Sequence, residues 1–207
     1  MSLPGEHIVK SYDEELNRLT GEIQRMGNLA LVELEAAITA VIERDSDAAE
    51  RIIASDKAID ELENEISQDV IRLLALRQPI ARDLREVLAA LRISSDIERI
   101  GDYAANVAKR ALALNRVDQV RPVISMPRLG KIAGEIISEV LLAYRDRDAD
   151  RALLAWARDE ELDALYTGIF RELLTYMMED PRNITACTHL LFMAKNIERI
   201  GDHATNI

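Results

Sequence analysis

The hexapeptide Ile-Glu-Arg-Ile-Gly-Asp occurs at Ile97 to Asp102 and again, letter for letter, at Ile197 to Asp202. In each copy two acids stand four apart, Glu98 with Asp102 and Glu198 with Asp202, and Asn106 and Asn206 extend the rows. On a helix that spacing puts the side chains on one face a turn apart, where like charges cost about 0.2 to 0.5 kcal/mol. A core tolerates exchange among apolar residues of similar volume, so a letter-for-letter repeat that includes the acids points to a demand beyond packing. A second pair four apart lies upstream in each half, Asp56 with Asp60 and Asp159 with Asp163. These flank apolar stripes of Ile52, Ile59, Leu62, Ile66 and Val70 and of Leu162, Leu165, Ile169 and Leu173. If the helices bearing the two kinds of pair run antiparallel, four carboxylates converge in each half. Carboxylate oxygens without imidazole or thiolate suit hard cations such as Mg²⁺, Ca²⁺ or Mn²⁺, with iron also accommodated. The competing reading is a solvated face neutralised by Arg99, Lys109 and Arg110 in surface pairs worth about 0 to 1 kcal/mol. Recurrence at matched positions of two repeats, beside the core stripe, favours the metal.

The elements that must position these acids are helical. Apolar residues recur three and four apart from about Ile8 to Glu43, and capping Ser and Asp follow Arg44. A second helix reaches about Leu76, Gln78-Pro79 interrupts the pattern, and a third runs from about Ile80 to Leu114. Residues Asn115 to Pro127, with two prolines and no helical period, form the expected linker. The order then repeats. A fourth helix spans about Arg128 to Tyr144, a fifth ends near Met178, and Asp180-Pro181 introduces a sixth that is still running at Ile207, as though its end were cut short. On the third helix Leu84, Val87, Leu88 and Leu91 share a sector with Glu98 and Asp102, as Ile184, Cys187 and Leu191 do with Glu198 and Asp202 on the sixth. The fold expected is all-α, an internal duplication of two similar three-helix bundles over 1–114 and 128–207. The period is too long for a solenoid unit.

Composition agrees. Nearly half the residues are apolar, with only eight Gly, five Pro and few aromatics, a balance that favours helices over strands. A net charge of −11 argues against nucleic acid as a partner, since phosphate backbones need clustered Lys and Arg. The single Cys187 forms no intrachain disulfide and no signal sequence opens the chain, which points to the cytoplasm. The longest apolar runs fall short of the about 20 residues a membrane span needs, so direct membrane insertion is not expected.

Other reactive residues read as structural. His7, His189 and His203 have no metal-ligand spacing among them, and His203, matching Tyr103, is expected at an interface or surface. Cys187 and Trp156 are expected to pack, as are Met177, Met178 and Met193. There is no Ser-His-Asp arrangement and no Gly-rich phosphate loop, so nucleophilic catalysis and nucleotide hydrolysis lack support.

The doubled hexapeptide followed by Gly-Asp-x-Ala-x-Asn, the paired Asp-x-x-x-Asp helices and the opening HIVKSYDEELNRL resemble the PhoU family over essentially the whole chain. The resemblance implies a non-enzymatic cytoplasmic regulator of phosphate uptake. It would hold down the phosphate-starvation response through the phosphate ABC transporter, by its ATPase subunit, and a sensor histidine kinase, and would form a homodimer. It also implies metal clusters of Mg, Mn, Fe or Zn. Carried over by position, the ligands are Asp56, Asp60, Glu98 and Asp102 in one half and Asp159, Asp163, Glu198 and Asp202 in the other, with Asn106 and Asn206 weaker. Asn196 departs from the first copy, which has Asp96. The alternatives are a carboxylate-cluster metalloenzyme acting on phosphoryl groups, which needs a positioned base or clamp, and a metal-free helical scaffold.

Overall fold

The computed structural model describes the backbone of residues 4–117, 120 and 125–207, and the side chains of these from residue 14 onward except Arg82. Among the described residues eight α-helices run in order as α1 (Pro4–Glu43), α2 (Ser46–Ser55), α3 (Lys57–Arg77), α4 (Ala81–Leu114), α5 (Met126–Asp146), α6 (Ala149–Ala157), α7 (Asp159–Glu179) and α8 (Ile184–Ala204). No strand occurs among the described residues. Helices α1, α4, α5 and α8 form the middle of the molecule, joined across the halves by α1 against α5 and α4 against α8. Helices α2 and α3 lean on α1 and α4, α6 leans on α5, and α7 leans on α5 and α8. The buried apolar residues of both halves join in one continuous cluster.

The duplication is visible in local chemistry. Arg44 and Arg147 both take φ 56°, turning the chain sharply after α1 and α5. Asp45 then accepts a hydrogen bond from the Ala48 N–H at 2.9 Å and Asp148 one from the Arg151 N–H at 3.0 Å, capping α2 and α6 alike. At the crossing of α1 and α5 a Cβ on Gly27 would stand 2.5 Å from Leu141 Cδ2, and one on Gly130 would stand 2.6 Å from Ile38 Cγ1. Gly27 matches Gly130 and Ile38 matches Leu141 at the same offset as Asp56 and Asp159. The two halves therefore exchange the same glycine-to-aliphatic contact, and only glycine permits the approach.

The structure departs from the expected elements in several places. The second helix of each half is split, at Asp56 and at Arg158. Both residues keep helical dihedrals, but the Asp56 carbonyl accepts from Ile59 N–H (2.9 Å) as well as Asp60 N–H (3.3 Å), and the Arg158 carbonyl from Glu161 and Leu162 (3.1 and 3.3 Å). The ladder tightens locally and bends the axis. Helix α5 begins at Met126, because Pro127 is tolerated in a first turn; the expected linker over 115–127 falls partly outside the described residues. Helix α8 ends at Ala204, where Thr205, Asn206 and Ile207 bond three residues back in part. Leu88 and Ile184, assigned to the core stripe, are exposed, the stripe being carried by Val87, Ala90, Ile97 and Ile100 on α4. Trp156 is 61% exposed, since short α6 buries only Ala155. Met178, in the last turn of α7, is exposed as well, whereas Met193 and Cys187 are fully buried.

Candidate metal centre

Helix α4 carries Glu98 and Asp102 past α3, which carries Asp60 and starts beside Asp56. The closeness of the four acids is legible in their electrostatics. Burial raises the Asp56 carboxyl above its ordinary range, and the charges of Asp102 and Asp60 raise it further, with Lys109 opposing. Burial likewise raises Glu98, helped by Asp102, Asp60 and Glu63, with Arg99 opposing. The second half repeats the arrangement. Burial, followed by the charges of Asp163, Asp202 and Glu198, pushes Asp159 up to about 6. Asp56, Asp60, Glu98 and Asp102 thus lie within reach of one another's charge, as Asp159, Asp163, Glu198 and Asp202 do.

The glycine of the hexapeptide explains how the helices come so near. A Cβ on Gly101 would lie 2.8 Å from Ile59 Cδ1 and 3.3 Å from Asp56 Oδ1, and one on Gly201 would meet Leu162 and lie 2.8 Å from Asp159 Oδ1. In both halves that Oδ1 is buried and has no hydrogen-bond partner. A buried acceptor left unmade costs about 1 to 3 kcal/mol, so its recurrence at matched positions is unexpected in a purely structural acid. Hard-oxygen donors from two helices, each cluster with one orphaned buried oxygen, fit a divalent cation in donor chemistry. Among the described residues, no three His, Cys, Asp or Glu side chains are already drawn together to hold one.

The weaker candidates are engaged elsewhere. Asn106 Oδ1 accepts from Lys109 Nζ at 3.2 Å, and Asn206 Nδ2 donates to Asp96 Oδ1 at 3.3 Å. Asp96 also lies 2.8 Å from His203 Nδ1, whose ring stands 5.7 Å from that of Tyr103. Asp96 therefore ties the halves together through α4 and α8. Asn196, its counterpart in the second copy, brings no such charge. His203 is interfacial, as its match to Tyr103 predicts. His7 lies outside the described side chains.

Sequence reasoning missed Glu33. It projects from α1, is 7% exposed, accepts from Ser55 Oγ at 2.8 Å through Oε1, and leaves a buried Oε2 without a partner. Burial, opposed by Ser55 and reinforced by Asp56 and Asp60, pushes its carboxyl up to about 7. The signal was present: Glu33 interrupts the buried series Ala30, Leu34, Ala37 of α1, and a charge in such a stripe is the informative exception. Lys195 was missed too. Its Nζ donates to Glu198 Oε1 at 2.6 Å and lies 5.3 Å from the Tyr166 ring centre.

Comparison with known proteins identifies the family. The PhoU domain profile matches residues 23–111 and again 126–207. A phosphate-specific transport system accessory protein PhoU homolog of Xylella fastidiosa (strain 9a5c) is 61% identical over 97% of this chain and 85% of its own length. Its Escherichia coli (strain K12) counterpart, named phosphate-specific transport system accessory protein PhoU, is 37% identical over 98% and 84%. The crystal structure of PhoU from Pseudomonas aeruginosa superposes with a TM-score of 0.91 at 36% identity, covering 94% of both chains. That of the phosphate transport system regulatory protein PhoU from Streptococcus pneumoniae gives 0.88 at 30% identity over 94% and 92%. With each half matched by the same domain and relatives aligned over nearly all of this chain, the duplicated helical chain belongs to the PhoU family.

Proposed function

We propose that this protein is a non-enzymatic accessory regulator of phosphate transport that carries divalent cations or iron in its two carboxylate clusters. The names of its relatives support the transport role. The proposal places it against the phosphate ABC transporter, at the ATPase subunit on the cytoplasmic side, and against the partner sensor histidine kinase, as a homodimer restraining the starvation response. Among the described residues no helix is long and apolar enough to cross a membrane; in this proposal membrane association comes through those partners. A bound cation would neutralise the acids of α3 and α4, and of α7 and α8, and draw each pair of helices together. Asp56 and Asp159 would hold it at the bend, Asp60 and Asp163 one turn on, and Glu98, Asp102, Glu198 and Asp202 from the facing helix.

The observation that carries the metal reading is the pair of orphaned buried oxygens, Asp56 Oδ1 and Asp159 Oδ1, each beside the glycine of a repeated acidic hexapeptide. Elemental analysis of purified wild type against Glu98→Ala/Asp102→Ala and Glu198→Ala/Asp202→Ala tests it. Metal lost half by half supports the reading; none retained, with no thermal stabilisation by Mg²⁺, Mn²⁺, Fe or Zn²⁺, removes it. Co-purification with the transporter ATPase and the kinase tests the partners.

A further inference from the structure

The halves align at fixed offsets, Asp56 with Asp159 in the flanking helices and Glu98 with Glu198 in α4 and α8. Around the four shared acids, several differences between the halves make the first cluster the more acidic, while the exposed Lys57 and Ala58, answered by Glu160 and Glu161, run the other way. Glu33, buried with an unpartnered Oε2, is answered by Ile136, which is wholly buried. Glu63, whose charge acts on Glu98, is answered by Tyr166. Ser55, the donor to Glu33, is answered by Arg158, which pairs with Glu135 on α5. Ser95 is answered by Lys195, whose ammonium sits on a Glu198 side chain only 11% exposed. The first cluster therefore has six carboxylates within mutual influence; of its cations, Lys109 acts on Asp56 and is bonded to Asn106, and Arg99 is 56% exposed and 3.6 Å from both Glu98 and Asp102. Such a loose exposed pair is readily displaced. In the second cluster the cation is short-range, partly covered and backed by an aromatic ring. Arg199, the counterpart of Arg99, instead donates to the Tyr103 hydroxyl at 3.0 Å.

Resting on the metal reading above, we infer that the two clusters are not equivalent: the first binds a divalent cation with Glu33 as a further carboxylate from α1, and the second carries Lys195 as a built-in cation that competes with metal for Glu198. A chain with two repeats thus presents one readily loaded site and one self-neutralised site. Glu33 reaches the first site from α1, so its loading ties α1 to α3 and α4, an effect the Ile136 half does not share.

The test is a Mn²⁺ titration of the metal-free full chain, with free Mn²⁺ read by electron paramagnetic resonance. Circular dichroism checks the fold of each variant. Two classes of site are expected in the wild type. Glu33→Gln, and Glu33→Ile with the residue the second half carries, weaken the tighter class by about tenfold or more, the scale of losing a supporting group at a metal. Lys195→Ser tightens the weaker class and leaves the tighter one in place. Two equal sites that neither Glu33 nor Lys195 substitutions shift would overturn the inference while leaving the metal reading intact. No saturable Mn²⁺ binding in any variant overturns both.

Discussion

Glycine to alanine exchange at four helix-interior positions separates local propensity from tertiary demand. Gly21 on α1 and Gly168 on α7 have nothing within 4 Å of an added Cβ, so Gly21→Ala and Gly168→Ala gain the helix-propensity difference, about 0.8 to 1 kcal/mol. At Gly101 the same methyl meets Ile59 Cδ1 at 2.8 Å and Asp56 Oδ1 at 3.3 Å, and at Gly201 it meets Leu162 and, at 2.8 Å, Asp159 Oδ1. Ile59 and Leu162 are almost wholly buried and have little room to swing aside. Overpacking of this kind costs about 1 to 3 kcal/mol, which exceeds or cancels the propensity gain. The two kinds of site should differ by about 1 to 3 kcal/mol, Gly201→Ala being the more severe. At about 2 to 4 °C per kcal/mol for a chain of this size, the gap in midpoint is about 2 to 12 °C. Urea and thermal unfolding of the four variants without metal provide the assay. If Gly101→Ala and Gly201→Ala are as stable as Gly21→Ala and Gly168→Ala, α4 and α8 do not approach α3 and α7 as described, and the placement of the orphaned oxygens fails with it.

Three further outcomes follow from the same structure. Glu33 and Asp159 are raised in the folded state to about 7 and about 6, so the fold holds protons there that the unfolded chain has released. Metal-free stability should therefore be greatest below the unfolded values and fall as pH rises toward the folded ones, by up to about 3 kcal/mol from Glu33; Glu33→Gln should flatten that slope in unfolding measured from pH 5 to 8. Arg44 Nη2 donates to the carbonyls of Leu114, Asn115 and Val117 at 3.2, 3.0 and 3.0 Å, so Arg44→Ala should cost about 1.5 to 3 kcal/mol in urea unfolding. An unchanged midpoint would refute the cap. Asp96→Asn should weaken the joint of α4 with α8 at His203 and Asn206 and speed amide exchange in α8; unchanged exchange would show that other contacts carry it.

The helical class, the duplication and the four acidic pairs are legible in the chain alone, because periodicity, capping residues and a repeated hexapeptide are local properties. Helix ends were legible where a side chain caps them, as at Asp45 and Asp148. The bends at Asp56 and Arg158 were not, since both residues keep helical dihedrals and only the hydrogen-bond ladder changes. Tertiary structure alone decided which acids are joined by others. Glu33 lies 23 residues before Asp56 on another helix, and its place beneath the first cluster depends on how α1 packs against α3 and α4. It likewise decided that Asp96 serves the joint between halves, that Lys195 occupies Glu198, and that Trp156 faces outward. Patterns along one helix fix which side chains share a face, but what stands opposite that face is set by the packing of helices distant in sequence.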